Sequence, residues 1–249
     1  MMIGAFSVLA VAAAIYGLFF SPWSQIFGRF VWRVKTSEKI VALTFDDGPN
    51  DPTTGQILDV LDTHGAAATF FMVGRNVERV PDIARQIAAS RHEIGNHSYS
   101  HQFRRYFTQP SYAGELKQTQ HVLGDAAGVE PTLFRPPWLW RTPWVLRTAV
   151  REHLVPVAGT FCHPFEVFHA DGERIARATL RKIKPGAIMI FHDGFNARPN
   201  ARRTETVRAV ELVASRLADD GWEMLTISEL LRRGHEHRRL RSRRTATSH

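Results

Sequence analysis

Cysteine is almost missing from this chain: Cys162 is the single one in 249 residues, so no internal disulfide can form. Charge is missing from the N-terminus, where residues 2–20 carry none and the first charged side chain is Arg29. An apolar run of that length, roughly 20 residues, is what a bilayer core demands of a helix. A cleaved signal peptide fits less well, because no Lys or Arg precedes the run and the small residues Ala12, Ala13 and Ala14 fall too early for a cleavage site. A membrane anchor over residues 1–22, single-pass, is therefore expected, with a linker over 23–37. Internal repeats are absent, and low complexity is confined to the C-terminus. Residues 232–249 hold seven Arg against one Glu, which accounts for +6 of the net charge of +8. That tail has no aromatic residue to stack on bases, so nucleic acid is not an expected partner and a disordered, basic tail is.

Apolar residues make up 44% of the chain and aromatics 10%, enough to bury one large core over residues 38–231. Apolar runs at 40–45, 68–73, 93–96, 132–135, 154–159, 187–191 and 223–227 alternate with amphipathic segments. The latter, at 53–64, 76–90, 110–127, 143–152, 172–182 and 203–220, carry helical periodicity. Seven strands alternating with helices predict a parallel sheet and, at this length, a closed or nearly closed barrel. The polar residues that stand out then fall at C-terminal strand ends, where such barrels assemble their sites.

Thr-Phe-Asp-Asp-Gly-Pro, at 44–49, ends the first apolar run. Asp46 and Asp47 are like charges on neighbouring residues, and each prefers protonation unless a cation or strong donors compensate. As Asp-Asp-Gly-Pro alone, the stretch reads as an ordinary turn. His97 and His101 change that reading: spaced i, i+4, they fall on one side of a helical turn and can bind one metal ion with Asp47 or Asp46. Two His and one carboxylate leave positions open for water and substrate, as catalytic sites need. Arg135 emerges from an apolar strand and needs a carboxylate; its planar fork suits Asp46 if Asp47 takes the metal. His192 follows four apolar residues at the same mouth, in the position for proton transfer.

With these runs in this order, the chain resembles the polysaccharide deacetylase family, carbohydrate esterases that share the NodB homology domain, over about residues 38–230. The resemblance implies an α/β fold, a distorted and incomplete (β/α)7 barrel of the NodB type, here preceded by one transmembrane helix. It implies Asp46 as general base, Asp47, His97 and His101 as ligands of a divalent metal, Zn before Co, Ni or Mn, and Arg135 as the residue that orients the base. The Arg-Pro-Pro motif, Arg135 to Pro137, implies an oxyanion-binding backbone N–H near Trp138, with Pro137 and Trp138 against substrate. His192, in Met189-Ile190-Phe191-His192, takes the role of general acid. One motif departs: where the family has Asp-Pro-x-Asp-Trp, this chain has His163-Pro164-Phe165-Glu166-Val167. Glu166 can replace the acid and face the substrate site, but Val167 cannot supply the ring that walls the acetyl pocket. Cys162 and His163 are assigned to packing.

The implied reaction is hydrolysis of N-acetyl groups on an amino-sugar polysaccharide, peptidoglycan or chitin-like. Two alternatives stay open: hydrolysis of a non-glycan amide or imide, and an inactive carbohydrate-binding homologue. Arg29, Arg33, Lys35 and Lys39 follow the apolar run and none precedes it, which by the positive-inside rule places the domain in the cytoplasm. Wall glycans lie outside, and long domains translocate largely regardless of loop charge, so an extracytoplasmic domain on the cell membrane is the expectation.

Overall fold

A computed structural model describes residues 17, 24–168 and 171–246. Eight strands form one sheet among these residues: β1 Ile40–Gly48, β2 Ala68–Met72, β3 Glu93–Asn96, β4 Leu133–Phe134, β5 Val155–Pro156, β6 Phe161–Cys162, β7 Ala187–His192 and β8 Glu223–Met224. Their order is β5-β4-β3-β2-β1-β7-β6, with β8 added beside the start of β1, and every pairing is parallel. The outermost strands β5 and β6 do not pair with each other, so the sheet is a half-barrel. The expected seven runs are all strands; β6, two residues long, carries too little pattern to be seen in advance.

Helices α1 Thr53–Thr63, α2 Gly74–Arg79, α3 Pro81–Ala88, α4 Gln109–Ala127, α5 Pro143–Arg151, α6 Gly172–Leu180, α7 Thr204–Asp219 and α8 Ile227–Ala246 cover the sheet. The single helix expected over 76–90 is split at Val80, because Pro81 lacks the N–H that would continue the ladder and starts a new helix instead. All nine residues of β1 are buried, as in a parallel strand covered on both faces. Their alternation still sorts them. Val41, Leu43 and Phe45 pack outward with Ile57, Leu61, Val210 and Val213 of the helices. Ile40 and Ala42 face inward with Phe71, Ile188 and Leu230. Thr44 and Asp46 continue that inward row, which is how a carboxylate comes to point into the barrel.

Three expectations need correction or restriction. The disordered tail from Arg232 is instead helical through Ala246. Ile227 and Leu230 plug the barrel floor, and the turns beyond are supported by Glu229–Arg232 and Arg232–Glu236 pairs at i, i+3 and i, i+4 and by Arg233, which bonds Glu38 and Glu223. The linker expected at 23–37 is partly built into the fold: Val31 bridges to Val157 beside β5, and Arg33 bridges to Ala187 at the start of β7. Residues 31–34 thus cross the open seam. The expected anchor falls almost wholly outside the described residues, among which no helix is long and apolar enough to cross a membrane.

Candidate active site

A bulge gives the two adjacent aspartates different directions. Asp46 pairs with Phe71 of β2 and Gly48 with Met72, so Asp47 is the extra residue, bent out of the ladder with φ 74°. In a regular strand the neighbours would face opposite sides of the sheet; here both reach one cavity at the strand ends. On the other side Asp46 pairs with His192 in register.

Asp47, His97 and His101 are all buried, and their ligand atoms lie within 4.8 Å of one another. Oδ1 of Asp47 stands 3.0 Å from His101 Nε2 and 3.4 Å from His97 Nε2, yet makes no hydrogen bond. The other oxygen, Oδ2, accepts the Asn196 N–H at 2.8 Å. His97 Nδ1 lies 2.7 Å from the Arg135 carbonyl, which only accepts, so the proton sits on Nδ1 and the Nε2 lone pair is turned to Asp47. Burial raises the Asp47 carboxyl, but the attraction of His101 above all, with His192, holds it well below the ordinary range. A buried carboxylate oxygen without a donor, facing two imidazole nitrogens, is the donor set a divalent cation takes.

The two histidines do not share a helical turn, as their spacing suggested. Residues 97–101 form an irregular loop in which Ser98 and His101 have φ of 65° and 50°. The loop is fixed by polar clamps: Ser98 N–H donates to Asn96 Oδ1 at 2.9 Å, and Ser100 donates to the buried Glu115 carboxylate from N–H and hydroxyl at 2.7 and 2.9 Å. Glu115, on α4, was not foreseen; a lone Glu in an amphipathic helix carries no signal.

Arg135 is fully buried, its guanidinium 4.1 Å from the Phe71 ring centre. Its fork does not grip Asp46 with both arms. Nη1 donates to Asp46 Oδ1 at 2.6 Å and to Thr44 Oγ1 at 2.8 Å, while Nη2 donates to the Ala158 carbonyl at 2.9 Å.

His192 Nδ1 lies 2.8 Å from Glu166 Oε2, which leaves Nε2 for the cavity. Glu166 does not face substrate. It is fully buried, and its Oε1 accepts from the His192 N–H at 2.9 Å, the Thr206 hydroxyl at 2.9 Å and Arg203 at 3.4 Å. Its substrate-binding assignment is therefore corrected to one of holding His192. Burial lowers the imidazole pKa, but the charge and hydrogen bond of Glu166, with Asp47 and Asp46, raise it to about 9. Arg203 and Thr206, at the start of α7, were missed because nothing local marks them.

Pro137 is also corrected: it is buried, and its carbonyl accepts the Tyr106 hydroxyl at 2.9 Å. Trp138, 42% exposed with φ 53°, does border the cavity, which measures about 430 Å³. Val167 lines the opposite wall without a ring, and the rings there are Phe168 and Phe195. Cys162 also lines the cavity and lies near Glu166 and His192. Burial pushes its thiol well up, and the Glu166 oxygens are already bonded, so that second cluster is not a metal site.

The polysaccharide deacetylase profile matches residues 33–152. A peptidoglycan-N-acetylglucosamine deacetylase of Bacillus cereus is 34% identical over 84% of this chain and 95% of the relative. A peptidoglycan-N-acetylmuramic acid deacetylase of Bacillus subtilis, PdaC, is 30% identical over 79% of this chain but 40% of the relative. Among solved structures, the Bc1960 peptidoglycan N-acetylglucosamine deacetylase superposes with a TM-score of 0.75 at 28% identity, covering 82% of this chain and 92% of that one. A CE4 family pseudoenzyme of Bacillus anthracis superposes at 0.72 and 25% identity, covering 82% and 69%. Fold, strand-end residues and these likenesses converge: the chain belongs to the polysaccharide deacetylase family.

Proposed function

We propose that the protein is a metal-dependent hydrolase that removes N-acetyl groups from an amino-sugar polysaccharide of the cell wall, peptidoglycan or a chitin-like glycan. The observation that carries this reading is the arrangement around Asp47 Oδ1, a donor-less buried carboxylate oxygen facing two imidazole nitrogens. Asp46 on Arg135 and His192 on Glu166 flank it. Asp47, His97 and His101 would hold the ion; zinc or another divalent metal bound there would polarise a carbonyl and lower the pKa of water toward ~7.

The protein's own groups divide the rest. Asp46, aimed by Arg135, takes the proton of the attacking water. A backbone N–H near Trp138 shares the negative charge that builds on the carbonyl oxygen. His192 gives a proton from Nε2 to the departing amine, and acetate and a free amino sugar result. The pseudoenzyme among the structural relatives makes possession of this whole set the supporting fact, since the fold alone does not confer activity.

A second reading, hydrolysis of a non-glycan amide or imide, is favoured by Val167 in place of an aromatic wall. Acetate release from peptidoglycan and chitin oligomers, measured beside simple amides, separates the two. Turnover of the amides alone would discard the glycan reading. We further propose a single-pass membrane protein with its catalytic domain outside the cytoplasm. Protease added to intact cells should then digest residues 38–249; survival until lysis would reverse the orientation.

A further inference from the structure

A row of aromatic rings starts at the candidate metal ligands and leads away from them. His101 meets Trp138 edge-on at 4.3 Å between ring centres, Trp138 meets Phe103 at 5.3 Å, and Phe103 meets Phe107 at 5.5 Å. Trp138, Phe103 and Phe107 are 42%, 43% and 61% exposed, so three neighbouring large rings form one contiguous apolar surface in water. Contiguous apolar surface of this kind marks a binding site far better than scattered exposed residues do. Two of the rings are also backed by a buried one. Phe103 and Phe107 begin and end a short 3-10 turn, Phe103–Phe107, whose buried Tyr106 packs 5.9 Å from Phe103 and 6.1 Å from Trp138. The Tyr106 hydroxyl bonds Pro137 and its carbonyl accepts the Trp144 indole N–H at 2.5 Å.

The same turn carries a cation. Arg104 is exposed, and its guanidinium donates to Gln102 Oε1 at 3.2 Å, with no carboxylate paired to it among the described residues. Residues three apart share a side of a 3-10 helix, so Arg104 leaves the turn on the same side as Phe107. Arg105, its neighbour, is by contrast drawn to Glu115 at 3.6 Å.

We propose that Phe103, Phe107 and Arg104 form an extended subsite for a sugar further along the strand than the immediate neighbour of the one being deacetylated: the rings stack on the apolar C–H face of that sugar, and Arg104 pairs with a carboxylate it carries. This rests on the N-deacetylase reading and adds to it the residues that hold the strand beyond the reacting sugar. Continuity argues for a glycan as occupant, because the ring row reaches the lining of the reaction cavity at Trp138 and ends on His101 itself. Charge argues for an anionic one. A pyranose has the flat C–H face and hydroxyl rim that suit a ring with a negative π-face. Phe107 lies two ring contacts beyond Trp138, at the end of the row away from His101.

The test uses the metal-loaded full chain and compares an N-acetylglucosamine dimer with its hexamer, and with muramic-acid-containing oligosaccharides with and without stem peptide. Phe103→Ala and Phe107→Ala should lower kcat/KM on the hexamer about tenfold, the scale of a lost aromatic contact, and on the dimer less than twofold. Arg104→Ala should erase only the preference for the carboxylate-bearing oligosaccharides. If that preference needs the peptide, the carboxylate is the peptide's; if it does not, it is the sugar's lactyl group. Equal losses on dimer and hexamer, or unchanged hexamer kinetics in variants that melt like the wild type, would overturn the subsite. So would a dimer of the protein, or binding to lipid vesicles, that Phe107→Ala abolishes. Should the wild type release no acetate from any glycan, the deacetylase reading fails separately. Calorimetric titration with the hexamer then decides the subsite, and equal affinity of wild type and Phe107→Ala would refute it.

Discussion

The imidazole of His97 and the carbonyl of Arg135 are joined at 2.7 Å, and the same arginine holds Asp46 at 2.6 Å with its side chain. One residue thus orients a candidate metal ligand through its backbone and the candidate base through its guanidinium. Their closeness follows from sheet register: Asn96 pairs with Phe134, so the next residues, His97 and Arg135, leave the sheet side by side. Arg135→Lys keeps a charge and the carbonyl but loses the fork, and should retain full metal content while turnover falls about 10²-fold through misplacement of Asp46. Arg135→Ala leaves a buried carboxylate uncompensated and should cost about 3–5 kcal/mol of stability, visible as a lowered denaturant midpoint.

Metal analysis of purified variants checks the division between the two aspartates. Asp47→Ala, His97→Ala and His101→Ala should each lose bound metal together with activity. Asp46→Asn should keep the metal and lose turnover. Full metal content in Asp47→Ala would remove that residue from the site.

The pair of His192 and Glu166 should set the alkaline limit of the reaction. With its pKa raised to about 9 by Glu166 against the effect of burial, His192 stays protonated at neutral pH, as a proton donor must. In the wild type kcat/KM should fall as pH rises through about 9; in Glu166→Gln the fall should move toward 6.5. Stability follows the same groups. A raised folded pKa stabilises fully below 6.5, and that contribution fades as pH climbs through about 9, so a wild-type melting temperature that declines over this window should flatten in Glu166→Gln. His192→Ala should lower turnover about 10²- to 10⁴-fold with metal unchanged. An alkaline limb that does not move in Glu166→Gln would detach it from His192.

Arg233 ties α8 to the strands through Glu38 and Glu223, the latter at 3.2 Å. The ion pairs are partly exposed, so Arg233→Ala should cost less than about 1 kcal/mol. Limited proteolysis should nevertheless reach the C-terminal helix sooner, with deacetylation unaffected.

The part of the site legible in the sequence is the part whose chemistry is local. Asp46, Asp47, Arg135 and His192 each end an apolar run, and a parallel sheet brings such ends together. What stayed hidden is set by long-range contacts. The Asp47 bulge depends on how β1 matches β2, and the true place of Glu166 depends on Thr206 and Arg203, some 40 residues downstream. His97 and His101 were paired correctly through a wrong local geometry, because a buried Glu115 folds the loop that a helical turn seemed to require. Arg233 looked part of a disordered tail because its acidic partners at 38 and 223 are remote in sequence.

The crossing of residues 31–34 decides where this enzyme can be cut. Val31 exchanges hydrogen bonds with Pro156 and Ala158 at 2.9 and 2.7 Å, Thr160 donates to the Trp32 carbonyl at 2.9 Å, and Val34 donates to Gly186 at 2.9 Å. A fragment started at the first strand, near Lys39, would strip these groups of their partners and unlace the two free margins of the sheet. Gln25 already clasps the backbone of Phe30 from both sides, at 2.9 and 3.1 Å. The smallest excisable catalytic unit therefore begins at about Gln25.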